Sequence, residues 1–373
     1  MEGGGTLTRI RVGVVGCGSV GERHYLPDLA ASPYVDLVAV CDADEARATW
    51  VAARHGVARC YTDLDAMLAG SDFELLCNLT PMPLHAPLAL KALRAGRHVL
   101  NEKPLAVTLK EADLLLEEAA RRGLIVTAAP NAVLSPTFHA AAAAIASGEI
   151  GKVCAARGRY GHSGPHEPWF YKQGGGALFD LGVYNVVTLT GLLGPAIGVV
   201  ALSGIAVPRR ILHGEEFSVE ADDNTTLLLD FGQGVQAVIQ TGFVYPTRPD
   251  RGAGYDDRAT IELLGTRGSI NWLGYDWEPH GIELCTDTTD GWETRAVDQR
   301  GYTWKNGGSA LARSLAEGDR SSMTAEHAYH TLEVMLGALE SAASGRRVAL
   351  RSTFPWPISI PEDAVTNAKA VHG

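Results

Sequence analysis

The sequence lacks several features that would assign it to a specialised class of protein. Its 373 residues contain no apolar stretch that approaches the length of a membrane span. Its six cysteines are scattered and form no CxxC pair, which indicates a reduced chain rather than a disulfide framework. It also lacks an excess of positive charge, since the formal net charge is −11. We therefore expect neither nucleic acid nor an anionic membrane surface as its main partner.

The rest of the composition is that of an ordinary globular protein. Apolar residues make up 46% of the chain and charged residues 20%, and the length is sufficient for two domains with a substantial core. The first six residues show neither the basic nor the apolar region of an export signal. We therefore expect a cytoplasmic location.

A glycine-rich turn organises the first part of the chain. Ile10 to Val15 predict a buried strand, and the motif Gly16-x-Gly18-x-x-Gly21 then leads into a helical pattern. Gly16 permits a tight turn, Gly18 lets the backbone approach a pyrophosphate, and Gly21 lets the helix pack closely on the strand. Backbone N–H groups at the start of the helix favour phosphate charge. The predicted phosphate contacts are Gly16, Gly18, Ser19, Val20 and Gly21.

An acidic residue after the second predicted strand indicates which dinucleotide is bound. Residues 35–40 form that strand, and Asp42 lies 21 residues beyond Gly21, where an acid is expected to meet the ribose hydroxyls. The carboxylate would repel a 2′-phosphate, and no arginine follows it before Arg47. The sequence therefore predicts NAD as the cofactor and makes NADP the less favoured alternative.

Strands and helices alternate through residues 1–129, which predicts a doubly wound Rossmann domain with a parallel sheet. Ligands of such sheets bind outside the carboxyl ends of the strands. Two further segments reach that edge, and from them we predict cofactor contacts by Thr80, Pro81, His85, Glu102 and Lys103. For His85 the alternative to a cofactor contact is a structural role, because a single histidine near a helix start is usually part of the core.

Lys103 is the candidate for chemistry at this edge. It stands in Glu102-Lys103-Pro104, directly after the fifth predicted strand. A lysine there can donate a proton or stabilise a developing alkoxide. The alternative is a surface lysine beside a proline that starts a helix.

These motifs, together with a later Asp180-x-Gly182-x-Tyr184, resemble those of the glucose–fructose oxidoreductase/inositol dehydrogenase family (Gfo/Idh/MocA) over most of the chain. Glu-Lys-Pro at this place is the most specific of the shared motifs. The resemblance implies that Lys103 is catalytic and that the Lys103–Pro104 peptide bond is cis. It also implies a homodimer or homotetramer formed through an open sheet of the second domain.

The second domain is predicted to span residues 130–373. An alanine-rich helix is followed by strands in succession with glycine-rich turns, and two long helical patterns come near the end. This order predicts an α+β domain with an open, mainly antiparallel sheet.

Asp180 and Tyr184 lie four residues apart in a helical pattern after three glycines, so we expect them on one helical face. An acid and a phenol together suit the wall of a cavity. The alternative is an acid that interacts with the helix dipole beside a half-buried tyrosine. The family usually has histidine at the position of Tyr184, although some branches carry tyrosine. Because a phenol has a pKa of about 10 against about 6.5 for imidazole, Tyr184 needs a nearby cation, for which Lys103 is the candidate.

Aromatic and polar residues between the two motifs suit a sugar ring. The predicted substrate contacts are Asn131, Tyr160, His162, Trp169 and Asn185. Val133 stands where many relatives in the resembled family have an arginine. His162 and His166 have no acids or cysteines nearby to complete a ligand set, so we expect no metal site.

The sequence thus predicts an NAD-dependent dehydrogenase of a sugar, inositol or related polyol. Tyr184, assisted by Lys103, would exchange the hydroxyl proton, and Asp180 would orient the substrate. Two alternatives remain open. One is an NAD-dependent glycoside hydrolase that works by transient oxidation at C3, and the other is a nucleotide-sensing protein without turnover.

Overall fold

The computed structural model describes residues 7–245, 260–275 and 277–359, which belong to two compact units. The first unit contains Met1–Asn131 and Thr303–Tyr329, and the second contains Ala132–Tyr302 and His330–Gly373. The predicted second domain, residues 130–373, therefore includes a segment, residues 303–329, that groups with the first unit. Sequence periodicity carries no signal for such a return, because it depends on contacts between residues far apart in the chain.

Short strands and medium-length helices make up both units. The strands are β1 Ile10–Val15, β2 Val35–Cys41, β3 Arg59–Tyr61, β4 Leu75–Asn78, β5 His98–Asn101, β6 Val126–Ala128, β7 Val153–Gly161, β8 Gly198–Gly204, β9 Arg209–Leu212, β10 Glu215–Ser218, β11 Asn224–Asp230, β12 Gln236–Gly242, β13 Ile261–Gly265, β14 Gly268–Gly274, β15 Pro279–Thr286, β16 Glu293–Ala296 and β17 Val348–Ala349. The helices are α1 Leu26–Ala31, α2 Glu45–His55, α3 Leu64–Gly70, α4 His85–Arg94, α5 Leu109–Arg122, α6 Pro136–Ala146, α7 Val183–Leu193, α8 Gly307–Glu317 and α9 Ala325–Ser344.

The first unit is built on a six-stranded parallel sheet with the order β3-β2-β1-β4-β5-β6. This is the strand order of the doubly wound dinucleotide-binding fold, so the predicted Rossmann domain is confirmed. Chain order reverses between β1 and β4, and ligands bind such sheets beyond the carboxyl ends of the strands at that switch point.

Local capping explains where the helices of this unit begin and end. The Asp44 side chain accepts a hydrogen bond from the Arg47 backbone N–H at the start of α2. Thr108 and Glu111 form a reciprocal capping box at the start of α5, which ends at Gly123 with a φ of +66°. The pattern Thr108-x-x-Glu111 predicts such a capping box and Gly123 predicts the helix end from the sequence alone, and the structure confirms both.

The second unit contains a nine-stranded sheet with the order β16-β15-β14-β13-β7-β12-β11-β8-β17. Every neighbouring pair is antiparallel except β7 and β12, so the sheet is mixed and mainly antiparallel, as expected. The sequence does not predict the short strands β9, β10, β16 and β17, because two to four residues are too few for a clear alternation.

One face of this sheet carries exposed apolar side chains. Val200, Leu228 and Val238 are directly paired across β8, β11 and β12, and about two fifths of each residue is exposed. Leu202, two residues further along β8, is 79% exposed. The residues that alternate with them, such as Leu227 and Ile239, are fully buried on the opposite face. The sheet is therefore apolar on both faces in this region.

A search of the described helices for a bilayer-spanning segment finds none of sufficient length and apolarity.

A buried histidine on α9 fixes the end of the loop that leads into β8. His330 is fully buried, and its Nε2 accepts a hydrogen bond from the Ala196 backbone N–H at 3.0 Å. Its Nδ1 lies 2.8 Å from Ser352 Oγ, which donates its own proton to Glu333. Because the serine proton is already used, Nδ1–H must be the donor to Ser352, and the imidazole is neutral. Burial lowers the pKa of His330 to about 4, against the opposing effect of Glu333.

Because His330 is buried in its neutral form, we expect the protein to lose stability at acidic pH. In the unfolded chain the His330 imidazole is protonated near pH 6.5, whereas in the folded chain it stays neutral down to about pH 4. The free energy of unfolding is therefore expected to fall between these values as the pH decreases, by at most about 3 kcal/mol. Urea denaturation at pH 7.5 and pH 5 measures the change. His330→Gln is expected to flatten it, and exposed His280→Gln serves as the control. An equal pH dependence in both variants would contradict this assignment.

Candidate functional site

The glycine-rich turn has the backbone geometry that its sequence predicts. Gly16 has a φ of +93°, and a Cβ atom there would lie 2.6–2.8 Å from backbone atoms of Leu79 and Thr80. A Cβ on Gly21 would lie 2.8 Å from the Gly16 carbonyl oxygen. In contrast, a Cβ on Gly18 would meet no atom within 4 Å. Gly16 and Gly21 are therefore needed for close packing, while Gly18 faces open space.

An open pocket of about 540 Å³ lies beside this turn. It is lined by Cys17, Gly18, Ser19, Glu22, Asp44, Arg47 and Trp50. Ser19 and Val20 are exposed at the start of the helical segment, whose first turn, Gly21–Tyr25, is π-helical. The pocket thus combines a helix start, whose backbone N–H groups can bind phosphate oxygens, with open space at Gly18 in which a pyrophosphate can approach the backbone.

Asp42 links the end of β2 to the glycine turn. Its Oδ2 accepts a hydrogen bond from the Cys17 backbone N–H at 2.8 Å, and its Oδ1 accepts one from Asp44 N–H at 2.9 Å. Arg47 is 3.6 Å from Oδ1. Because an ionised carboxylate has about four acceptor positions, these two hydrogen bonds leave capacity for ribose hydroxyls. The turn, the pocket and Asp42 together fit NAD.

Two buried asparagines join the ends of β4 and β5, and neither is predicted from the sequence. The Asn78 amide donates to Asn101 Oδ1 at 3.0 Å and to the His85 carbonyl at 3.1 Å. Thr80 Oγ1 donates to Asn78 Oδ1 at 2.6 Å, and the Asn101 amide donates to the Leu105 carbonyl. The segments after β4 and β5 are thereby tied together. Asparagine at the end of two adjacent apolar strands is the signal that could have identified them.

His85 belongs to the same network. It is fully buried, with Nδ1 2.7 Å from the Pro104 carbonyl oxygen and Nε2 2.7 Å from the Thr80 carbonyl oxygen. Burial lowers the pKa of His85, although both carbonyls and Glu102 act in the opposite direction. A neutral imidazole donates to one of the two carbonyls at a time. Both ring nitrogens face the backbone, which gives His85 the structural role that the sequence left open. Any contact with a cofactor would have to come from its ring carbons.

The Glu102-Lys103-Pro104 turn is held by the Glu102 carboxylate, and its Lys103–Pro104 bond is cis, as the family resemblance implies. Glu102 is buried and accepts a hydrogen bond from the Tyr25 hydroxyl at 2.7 Å. The Lys305 ammonium group also donates to this carboxylate, and the Lys103 backbone N–H donates to its second oxygen at 3.1 Å. Burial alone would raise the pKa of Glu102, but Lys305 and Lys103 outweigh this effect and lower it to about 2.

Asn131 is the last residue of the first segment of the first unit, and it contacts the segment that returns at Thr303. It is buried, and its amide donates to the Thr303 carbonyl at 3.0 Å and to Asn306 Oδ1 at 2.6 Å. Its own Oδ1 has no hydrogen-bond partner among the described residues. Asn131 therefore anchors the returning segment, and a substrate contact by this buried residue stays a prediction.

Asp180 and Tyr184 both lie in helical segments, but the helix around Asp180 differs from the regular one that the pattern predicts. Residues Leu178–Gly182 form a π-helical turn that continues into α7. Asp180 is half-buried and Tyr184 is 4% exposed. Burial lowers the pKa of His162, and the charge of Asp180 acts against that effect. The acid and the histidine are therefore electrostatic neighbours. π-Helical turns are rare and occur frequently at functional sites.

An aromatic cluster in the second unit is centred on Tyr160 and formed by Tyr160, Tyr184, Tyr275 and Trp277. The Tyr160 ring centroid lies 6.2 Å from that of Tyr184, 5.2 Å from that of Tyr275 and 6.2 Å from that of Trp277. Tyr275 and Trp277 stack at 5.4 Å with a 14° interplanar angle. The sequence predicts Tyr160 but not the other two. They lie about a hundred residues away, on the connection between β14 and β15, and only the pairing of the sheet brings them here.

The other predicted substrate residues occupy different positions around this cluster. His162 contacts Tyr160 at 6.3 Å, stacks on Phe243 and accepts a hydrogen bond from Gly164 N–H at Nδ1. Trp169 is 45% exposed and stacks on Phe170. In the series of ring contacts that leads from Phe170 to Tyr184, several other rings lie between them. Asn185 is fully buried, and a Cβ on Gly158 would lie 3.0 Å from it, so it packs beneath β7.

Within the described part of the chain, no three His, Cys, Asp or Glu side chains are grouped as metal ligands.

Comparison with known families gives two adjacent matches. Residues 10–129 match the family described as the oxidoreductase family with an NAD-binding Rossmann fold, GFO_IDH_MocA. Residues 138–271 match the GFO/IDH/MocA C-terminal domain.

Named relatives and a solved structure extend these matches. The chain is 31% identical to a dTDP-3,4-didehydro-2,6-dideoxy-alpha-D-glucose 3-reductase of Streptomyces violaceoruber, covering 78% of this chain and 81% of that protein. It is 27% identical to a scyllo-inositol 2-dehydrogenase (NAD(+)) of Bacillus subtilis, covering 70% and 73%. A crystal structure of levoglucosan dehydrogenase with NADH and levoglucosan has the same fold, with a TM-score of 0.80, 23% identity and coverage of 92% and 100%. The cofactor is NAD, and the chain belongs to the GFO/IDH/MocA family of NAD-binding oxidoreductases.

Proposed function

We propose that this protein is an NAD-dependent dehydrogenase that oxidises a hydroxyl-bearing carbon of a sugar, inositol or related polyol, or reduces the corresponding ketone. The observation that carries the proposal is the Glu102-Lys103-Pro104 turn at the carboxyl end of β5. It places Lys103, which is partly exposed, directly after β5 at the edge of the sheet where a Rossmann fold binds its dinucleotide. A protein that only sensed nucleotides would need the glycine turn and Asp42 but not this lysine.

The chemistry requires both a hydride acceptor and a proton acceptor. Bound NAD would supply the hydride acceptor for the carbinol carbon or, in its reduced form, the hydride donor. The hydroxyl on that carbon must lose its proton in the same step. We assign the proton exchange to the Tyr184 hydroxyl. Lys103 supplies the positive charge that stabilises the phenolate, and Asp180 accepts a hydrogen bond from a substrate hydroxyl.

The aromatic cluster supports a ring-shaped polyol as the substrate. Tyr160, Tyr275 and Trp277 are half-buried, so each exposes part of its ring. Aromatic faces pack against the C–H faces of a sugar ring, and their polar atoms can meet its hydroxyls. Two named relatives, the dTDP-sugar 3-reductase and the scyllo-inositol 2-dehydrogenase, are consistent with a cyclic polyol substrate.

A screen of sugars, inositols and their keto forms, followed by the absorbance of reduced cofactor, tests the substrate class. Turnover of at least one cyclic polyol with net formation or consumption of NADH is expected. Release of sugar from an aryl glycoside without net NADH would instead support the hydrolase. Tight binding of NAD with no turnover across the panel would support the nucleotide sensor.

Lys103→Met and Tyr184→Phe test the proposed proton exchange. Each is expected to lower kcat by roughly 10²–10⁴-fold, because each removes a group that acts on the transferred proton. The dissociation constant for NAD, measured in parallel, is expected to change little. Lys110→Met, which alters an exposed lysine on α5, is the control. Wild-type turnover in both test variants would show that the assigned roles are wrong.

Trp277→Ala tests the role of the aromatic cluster in substrate binding. The loss of one aromatic face is expected to raise KM for the polyol by about fivefold, since such contacts contribute about 1 kcal/mol. The affinity for NAD is expected to be unchanged. Trp292→Ala removes a half-exposed tryptophan elsewhere in the second unit and is the matched control. Equal KM values for the two variants would argue against substrate contact by the cluster.

We also propose that the exposed apolar face of β8, β11 and β12 binds a second copy of the chain. A dimer contact there would bury Leu202 and the row Val200, Leu228 and Val238, in agreement with the assembly that the family resemblance implies.

Leu202→Glu tests this assembly by placing a charge on the proposed contact. The wild-type protein is expected to have the mass of a dimer or tetramer in size-exclusion chromatography with light scattering, and the variant that of a monomer. Leu114→Glu, at an exposed position on α5, is the control. A monomeric wild type, or a Leu202→Glu variant that assembles normally, would contradict the proposal.

A further inference from the structure

The segment Thr303–Asn306, which returns to the first unit, delivers a buried cation to the turn that carries Lys103. Lys305 is 2% exposed, one of the largest fully buried side chains among the described residues, and its ammonium group donates to Glu102. Its Nζ also lies 4.5 Å from the Trp304 ring centroid and 5.5 Å from that of Tyr25. A buried lysine is costly unless it is paired, so this arrangement needs an explanation.

The anchors of the segment show that the position of Lys305 is fixed. The Asn131 amide holds both the Thr303 carbonyl and Asn306 Oδ1. After residue 306 the chain enters α8, where a Cβ on Gly308 would lie 3.0 Å from Cys77 Sγ in β4. Ser309 Oγ donates to Asp28 of α1 at 2.6 Å. Lys305 therefore lies between hydrogen bonds to Asn131 on one side and a packed helix on the other.

The partner of Lys305 is itself connected to the backbone of Lys103. Glu102 Oε1 accepts hydrogen bonds from the Tyr25 hydroxyl and the Lys305 ammonium group, while Oε2 accepts one from the Lys103 backbone N–H. The orientation of the carboxylate thus sets the position of the peptide from which the Lys103 side chain extends. Without Lys305, a buried carboxylate would lose its closest counter-ion and would take up water or a proton.

We propose that Lys305 is a positioning residue for the reaction, which holds the Glu102 carboxylate so that the adjoining turn presents Lys103 in its catalytic orientation. Lys305 acts through Glu102 and is not itself in contact with the substrate. This inference rests on the proposed role of Lys103.

The experiment compares Lys305→Met with the wild-type enzyme and with Lys91→Met, which removes an exposed lysine paired with Asp65 on the same unit. Lys305→Met is expected to lower kcat by roughly 100-fold, since a misplacement of about 1 Å has an effect of that size. The affinity for NADH, followed by fluorescence titration, is expected to change little. Lys91→Met is expected to behave as wild type. A kcat for Lys305→Met within twofold of wild type overturns the proposal.

A second variant separates positioning from a loss of folding. Lys305→Met/Glu102→Gln removes both charges but keeps an oxygen that can accept the Lys103 N–H, so it is expected to recover the melting temperature and part of kcat. Glu102→Gln alone leaves the ammonium group unpaired and is expected to be less stable than the double variant. If the double variant regains its melting temperature but none of its kcat, Lys305 has no positioning role through Glu102.

The pH dependence of stability gives a readout that is independent of turnover. The charged or titratable groups near Glu102 are Lys305, Lys103, Tyr25, His85 and His24. In the wild type Glu102 stays ionised in the folded state down to about pH 2. In Lys305→Met its folded pKa is expected to rise, so the deficit in melting temperature should be larger at pH 8 than at pH 5. Glu102→Gln in the same background should abolish that difference, and an unchanged deficit would contradict the proposal.

The Lys103→Met variant distinguishes failure of this inference from failure of the proposed function. Loss of turnover in Lys103→Met with normal turnover in Lys305→Met rejects only the positioning role. Normal turnover in Lys103→Met rejects the proposed function itself.

Discussion

The buried carboxylate of Glu102 is the constraint on which the first unit's candidate site depends. Three donors from separate parts of the sequence meet on it: the Tyr25 hydroxyl, the Lys103 backbone N–H and the Lys305 ammonium group. Burial disfavours its charge, but the two lysines more than compensate for that cost. Because the carboxylate is fully engaged within the protein, its main role in this structure is to fix the turn that carries Lys103.

The remainder of that edge is fixed by short polar contacts at the ends of apolar strands. Asn78 and Asn101 bind each other across β4 and β5, and His85 bridges the Thr80 and Pro104 carbonyls. The two asparagines have their hydrogen bonds satisfied locally, and His85 donates to one of its two carbonyls at a time, so these contacts hold the loops in place. The open space in front of Gly18 therefore lies at an edge whose neighbouring loops are held in place.

In the second unit, the candidate site is formed by aromatic side chains rather than around a buried carboxylate. Its mixed sheet brings Tyr160 from β7 next to Tyr275 and Trp277 from the β14–β15 connection. The π-helical turn before α7 adds Asp180, and the first turn of α7 adds Tyr184. Rings supply contact area with few rotatable bonds, so a wall built from them loses little entropy when it binds a ligand. A wall of this kind suits the flat faces of a cyclic polyol.

Local patterns were sufficient to predict the features that depend on neighbouring residues. The tight turn at Gly16, the close packing at Gly21, the capping box at Thr108 and the larger strands each depend on a few neighbouring residues, and the structure confirms them. The contacts of the glycine turn and Asp42 with NAD stay predictions. Whether Lys103 and Tyr184 act on one proton stays a prediction. Features that join distant residues were decided only by tertiary structure. Lys305 lies 203 positions from Glu102, and Trp277 more than a hundred from Tyr160, so no periodicity links them. Their contacts arise from the return of the chain to its first unit and from the pairing order of the second sheet.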